Sequence, residues 1–194
     1  MGFAVHPLTP ARWADVESVF NARGCSVARG CWCMYYRVGS HWEQEQGAGT
    51  RAEKARRALK ALAAQDPPPG LIGYQDEVPV GWVSLGPRES YLKLQRSPVM
   101  KPVDDQPVWS IVCFVVPSEY RQQGVARRLL AGAIHYARQR GVRLLEAYPI
   151  DRQKDPSAQS SWFGSKAMYD ELDFEVVARR KPARPVVRLK VSGR

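Results

Sequence analysis

The sequence predicts a single mixed α/β domain over residues 1–194, with a central sheet of about six or seven strands flanked by about four helices. Three observations carry that expectation. Residues 108–116 form a continuous apolar run, as a strand buried on both faces requires. Residues 124–140 place Val125, Leu129, Ala133, Ile134 and Ala137 on one helical stripe. A short basic loop joins the two, so strand, loop and helix follow one another directly.

The remaining elements fall into place in chain order. Residues 3–6 read as a first strand. Thr9-Pro10 starts a helix over about 10–22, because Thr can cap and Pro at the first helical position loses no needed donor. Trp13, Val16, Val19 and Phe20 recur there at helical spacing. Residues 24–50 read as irregular and rich in aromatics. A second helix over about 51–64 carries Ala55, Leu59, Leu62 and Ala63 on one face, and Pro67, Pro68 and Pro69 stop it. Residues 71–74 and 80–85 form a hairpin around Asp76-Glu77. A polar connection with a short helix leads to the strand at 108–116, which Pro117 ends, and Gly141 closes the helix that follows. Residues 144–148 make another strand, about 163–172 a helix, and 174–178 and 186–191 the last strands.

Composition narrows the classes. The chain is 44% hydrophobic and 25% charged, as soluble globular proteins are. No apolar run approaches the roughly 18 residues of a membrane span. The N-terminal residues lack the basic start and apolar stretch of a secretory signal, and His6 stands where a myristoylation pattern has Ser or Thr. A cytoplasmic protein with no membrane partner is expected. Cys25, Cys31 and Cys33 cluster while Cys113 stands apart, which suits reduced thiols better than a disulfide framework. The net charge of +10 attracts anions, among them nucleotides, coenzyme A phosphates and nucleic acid. The basic residues are scattered without a stacking motif, so nucleic acid ranks last as a partner. A homodimer is left open.

The strand–loop–helix is the most informative stretch. A helix N-terminus presents unpaired N–H groups and a partial positive charge, which suit a pyrophosphate. Gly124 and Ala126 leave room for a phosphate against the backbone, and Arg121, Arg127 and Arg128 add positive charge. Taken alone, an ordinary strand-to-helix turn with a glycine would read the same way.

The wider pattern decides between these readings. Arg121-Gln122-Gln123-Gly124-Val125-Ala126, preceded by Val115-Val116-Pro117-Ser118-Glu119-Tyr120, resembles the cofactor signature of the GCN5-related N-acetyltransferases, Gln/Arg-x-x-Gly-x-Gly/Ala after a central strand. Residues 163–174 are similar to that family's later helix, which carries a tyrosine and ends in Gly-Phe. Here Asp173 replaces the glycine, and Asp tolerates a left-handed backbone better than most residues.

The resemblance implies a sheet splayed at its centre, acetyl-CoA as cosubstrate and no metal. It implies that Phe114, Val115 and Val116 offer backbone hydrogen bonds to the pantetheine arm, one N–H polarising the thioester carbonyl. The loop Arg121, Gln122, Gln123, Gly124, Val125 and Ala126 would hold the pyrophosphate. A primary amine, on a small molecule or a protein, would attack directly. Tyr169 matches the general acid that protonates the departing thiolate; the alternative is a tyrosine packed on the sheet. Glu146 is the candidate general base if buried, where its pKa would rise, or else an outward-facing solvated residue. Asp105, Glu119 and Asp151 are weaker candidates. Cys113 as an acetyl carrier ranks below direct attack, because buried strand thiols are usually inert.

Residues 24–50 fall where this family walls the acceptor pocket. Trp32, Tyr35 and Tyr36 either line a site for an aromatic or cationic acceptor or cover the open end of the core. Cys25, Cys31, Cys33 and His41 match none of the usual zinc spacings. The basic stretch 179–184 reads as an exposed turn. The competing function is a degenerate member that senses acetyl-CoA without turning it over.

Overall fold

The computed structural model describes residues 2–39, 42, 47–153 and 162–191. Its sheet has seven strands: β1 (Phe3–Pro7), β2 (Gly70–Gln75), β3 (Val78–Pro87), β4 (Trp109–Val115), β5 (Leu144–Ala147), β6 (Glu175–Lys181) and β7 (Arg184–Lys190). Their spatial order is β1-β2-β3-β4-β5-β7-β6. Every neighbouring pair is antiparallel except β4 and β5. A parallel pair needs a crossover, and helix α5 (Val125–Gln139) supplies it.

The helices depart from expectation in instructive ways. Pro10–Arg12 forms a 3-10 turn and Thr9 makes no side-chain cap, so α1 proper is Trp13–Asn21. The stretch expected to be irregular contains α2 (Ser26–Cys31). It buries only Ala28, so no apolar stripe announced it. Trp32 and Cys33 end it with positive φ of 45° and 54°. Helix α3 (Arg51–Leu62) begins on a capping box between Thr50 and Glu53. A single turn, α4 (Leu92–Gln95), lies in the polar connection. The helix expected over about 163–172 contracts to α6 (Lys166–Asp170), whose first turn is capped by Ser165, and Asp173 takes the left-handed backbone at φ +61°.

Strand alternation sorts the core onto two faces. Leu129, Leu130 and Ala133 of α5 pack with Val83, Leu85, Ile111 and Phe114. Trp13, Phe20 and Leu59 of α1 and α3 pack with Trp82, Cys113 and Val115 on the other face. A β-bulge interrupts the alternation in β4. Ser84 pairs with Cys113 but Leu85 pairs with Ile111, so Val112 is the extra residue. Val112 joins Tyr91, Tyr148 and Phe163 in a third cluster.

Close approach of α5 to β1 depends on Gly132, where a Cβ would lie 2.4 Å from Val5 Cγ2 and 2.7 Å from its Cβ. That neighbour cannot swing aside without moving the strand. Overpacking costs about 1–3 kcal/mol, against the roughly 1 kcal/mol that alanine gains in helix propensity. Gly132→Ala is therefore expected to lower the urea midpoint, and an unchanged or raised midpoint would show that β1 yields freely.

Candidate active site

A cleft of about 630 Å³ opens between the end of β4, the loop into α5, and α6. Phe114, Val116, Arg121, Gln122, Gly124, Val125 and Ala126 all line it, so the residues expected around a cofactor do converge. Two members of that set point elsewhere. The Val115 side chain packs in the core on the α1 side, and the Gln123 amide donates to Glu119 O at 2.6 Å.

The loop backbone is shaped for an anion. Gln122 and Gly124 adopt left-handed φ of 61° and 74°. The first turn of α5 is closed by Arg128 N–H donating to Gly124 O at 3.0 Å. The amides of Val125, Ala126 and Arg127 precede that bond, where a helix has no carbonyl to offer them. Gly124 lines the cleft, and a Cβ built on it would meet no atom within 4 Å.

The arginines expected to supply charge instead build the loop. Arg121 Nε donates to Val116 O at 3.0 Å and its Nη2 to Gly24 O at 2.6 Å. This ties the end of β4 to the α1–α2 turn. Gly24 has φ +81°, and a Cβ there would approach Ser118 Cβ to 2.9 Å. Arg128 Nη2 donates to Gln123 O at 3.0 Å, and Arg127 pairs with Glu171 at 2.6 Å.

The pairing of β4 with β5 ends at Ile111 and Ala147, after which the strands part. The gap is not open as expected. Residues 162–165 thread through it: Trp162 O accepts Phe114 N–H at 2.7 Å, and Gly164 O accepts Ile150 N–H at 3.0 Å. One of the amides expected to meet pantetheine thus has a partner within the chain.

Tyr169 lies beneath this segment. Its ring is fully buried, edge-on to Phe174 with centroids 5.0 Å apart, and its hydroxyl donates to Phe163 O at 3.0 Å. Burial, with a smaller contribution from Cys113, raises its ionisation far above the ordinary phenol range. The group keeps its proton at any physiological pH.

Glu146 is buried, as its role as a base would require, and its surroundings are charged rather than apolar. Oε1 accepts from Arg88 Nη1 at 2.6 Å and from the Tyr148 hydroxyl at 2.7 Å, while Oε2 accepts from Arg188 Nε at 2.8 Å. Two guanidinium groups and a hydroxyl therefore surround the carboxyl group, in place of an apolar pocket. Arg188 also pairs with Asp104 at 2.6 Å, and the Tyr148 hydroxyl lies 3.0 Å from Ser110 Oγ. Of the weaker candidates, Asp151 pairs with Arg179 at 3.0 Å, whereas Asp105 and Glu119 are exposed.

The three aromatic acceptor candidates separate. Trp32 is 3% exposed and stacks on Phe20 at 4.8 Å and on Trp13 at 5.8 Å; it belongs to the core and has no face left for an acceptor. Tyr35 is exposed, with Lys93 Nζ 3.6 Å from its ring centroid. Tyr36 meets Phe163 edge-on at 5.2 Å, and burial pushes its hydroxyl up to about 12. Among the described residues no three His, Cys, Asp or Glu side chains gather as a metal site, and His41 lies outside the described residues. No helix among them is long and apolar enough to cross a membrane.

Sequence reasoning missed Arg88, Arg188, Tyr148 and Arg184. Arg188 shares a strand face with Val186, and a charge at a position of core register was the available signal.

A mixed α/β sheet whose central strands part beside a helix start that faces a cleft is an arrangement suited to an anionic ligand. The sequence profile of the Acetyltransferase (GNAT) family matches residues 36–160, and the chain belongs to that family. A search of curated protein sequences finds no match. Among solved structures, a GNAT-family acetyltransferase from Desulfovibrio desulfuricans is 17% identical with a TM-score of 0.53, covering 98% of this chain and 100% of that one. The PaiA N-acetyltransferase of Thermoplasma acidophilum, in complex with coenzyme A, is 14% identical with a TM-score of 0.53, covering 98% and 99%. YncA of Salmonella typhimurium, with acetyl-CoA, is 15% identical with a TM-score of 0.52, covering 100% and 96%. At these identities the likeness is one of fold.

Proposed function

We propose that the chain transfers an acetyl group from acetyl-CoA to a primary amine. The observation that carries this reading is the start of α5, where unpaired amides face a cleft and the missing side chain of Gly124 is itself cleft space. The coenzyme A and acetyl-CoA complexes of PaiA and YncA support the identity of the ligand.

Acetyl-CoA brings an activated acyl group on a thiol leaving group, and the chain's residues hold and protonate. Amides 125–127 would hold the pyrophosphate, a role that uses backbone and so needs no free arginine. Phe114 N–H would turn from Trp162 O to the pantetheine arm, which seats the arm on the edge of β4 that residues 162–165 now cover. Tyr169 carries a firmly held proton beside the parted strands. Releasing Phe163 O frees that proton for the departing thiolate.

Tyr169→Phe is expected to lower kcat by about 100-fold, with coenzyme A affinity held within about twofold, because the hydroxyl does not line the cleft. Thiol release followed by chromophore, with calorimetric titration of coenzyme A, reads both. An undiminished kcat would assign Tyr169 to packing. Thiol release with no amine of a broad panel would favour the sensing alternative.

A further inference from the structure

Among the described residues around the parted strands, the Arg184 guanidinium has no hydrogen-bond partner at a buried nitrogen. Around the gap between β4 and β5, Arg88 and Arg188 share Glu146, Arg179 pairs with Asp151, and Arg180 donates to the carbonyls of Val99, Lys101 and Pro102. Arg37 donates to Pro69 O at 2.9 Å and to the Tyr91 hydroxyl at 2.8 Å. Arg184, the first residue of β7, has no hydrogen bond or ion pair among the described residues. Its Nη1 is buried and unpartnered, its guanidinium lies over the face of Phe163 at 5.3 Å from the ring centroid, and its charge acts on the Tyr36 hydroxyl. Taking such an atom out of water without a partner costs stability, and an anion placed against it would recover that cost.

Position gives the vacancy meaning. Phe163 is the residue whose carbonyl receives the Tyr169 hydroxyl, and the preceding Trp162 carbonyl receives the Phe114 amide. Its ring touches Tyr36 and Tyr148 on the face opposite α5 and α6. Arg184 thus stands one side chain away from the groups proposed to act on the thioester, on the acceptor side of the sheet. The nearby carboxylates of Glu146 and Asp151 are both committed to arginines, so neither of these two is left to attract a second ammonium. The unsatisfied charge there is positive.

We propose that the acceptor is a small amine that also carries a carboxylate, as an amino acid does, and that Arg184 binds this carboxylate and so orients the amine toward the acyl group. The assignment rests on the acetyl-transfer reading above and adds the chemical class of the acceptor. The guanidinium fork suits a carboxylate in two parallel hydrogen bonds, which fixes direction as well as distance. A polyamine, or a lysine side chain flanked by other cations, would meet like charge at this point.

The test compares free amino acids with their carboxamides, which keep the amine and lose the charge. Each is offered to wild type, Arg184→Met and Arg184→Lys with acetyl-CoA, and each is titrated calorimetrically into the coenzyme A-loaded protein. At least one amino acid is expected to be acetylated with a kcat/KM about 100-fold above that of its amide. Arg184→Met should raise its KM by about 10-fold or more, shrink the preference of acid over amide by a similar factor, and leave the coenzyme A affinity unchanged. Arg184→Lys should fall between, keeping charge and losing the fork. Carboxamides acetylated as well as the acids, an Arg184→Met enzyme with undiminished preference for the acid, or loaded protein that neither binds nor acetylates any amino acid would each overturn the assignment. Coenzyme A binding separates the two readings: if it persists in those cases, only the acceptor class is lost, and if it is absent, the transferase reading itself has failed.

Discussion

Gly124→Glu is expected to abolish coenzyme A binding, raising its Kd beyond about 100-fold. Two independent causes act together. The residue at 124 must hold φ +74°, a conformation that costs a residue with a Cβ about 1–2 kcal/mol. The new side chain also enters the cleft and brings a carboxylate to the place where the helix start presents its amides. The anion site would then be filled and neutralised by the protein's own charge. Gly124→Ala separates the causes, since it introduces the backbone strain and a small bulk without charge. Calorimetric titration of coenzyme A into the three proteins, with thermal melting as the control for folding, reads the result. Retained affinity in the glutamate variant would mean that the phosphates are held elsewhere.

Glu146→Ala is expected to be the most destabilising single change considered. It leaves Arg88 and Arg188 facing each other in a buried site without their shared carboxylate, and it removes the acceptor of the Tyr148 hydroxyl. Breaking a buried pair by deleting one partner costs about 3–5 kcal/mol, which in a domain of this size is on the order of a 10 °C fall in Tm. Glu146→Gln keeps the shape and isolates the charge. If the carboxylate were the base, the glutamine variant would melt near wild type and lose kcat. The ion-pair geometry predicts the reverse: a lowered Tm, with kcat per folded molecule changed only several-fold. Thermal melting and steady-state kinetics on the same preparations decide between them.

The strand–loop–helix that lines the cleft was legible because local sequence builds it. A strand ended by proline, a short loop and a glycine at a helix start are all neighbours in the chain, so their juxtaposition needs no long-range contact. What the same residues do individually was less legible. Arg121 read as a phosphate ligand, yet its two bonds reach Val116 O and Gly24 O, the latter 97 positions away, and no local pattern encodes that partner. Trp32 read as an acceptor contact, yet it stacks between Trp13 and Phe20, a pairing that exists only once α2 docks on α1. Helix α2 itself was invisible because it buries one alanine and so carries no periodic stripe.

By itself, the sequence determined the class of fold, the position of the glycine turn that opens α5 and the tyrosine after it, because hydrophobic period and turn chemistry are local properties. Only the tertiary structure decided which charges are spent and which are free. Glu146, 58 positions from Arg88 and 42 from Arg188, becomes the centre of a buried network through the register of β5 against β7. Arg184 looked like one more basic residue in an exposed turn, and its place over Phe163, with a buried nitrogen lacking a hydrogen-bond partner, exists only because residues 162–165 are threaded through the gap. Whether a charge is compensated depends on the neighbours that folding brings to it, and in this chain those neighbours come from far along the sequence.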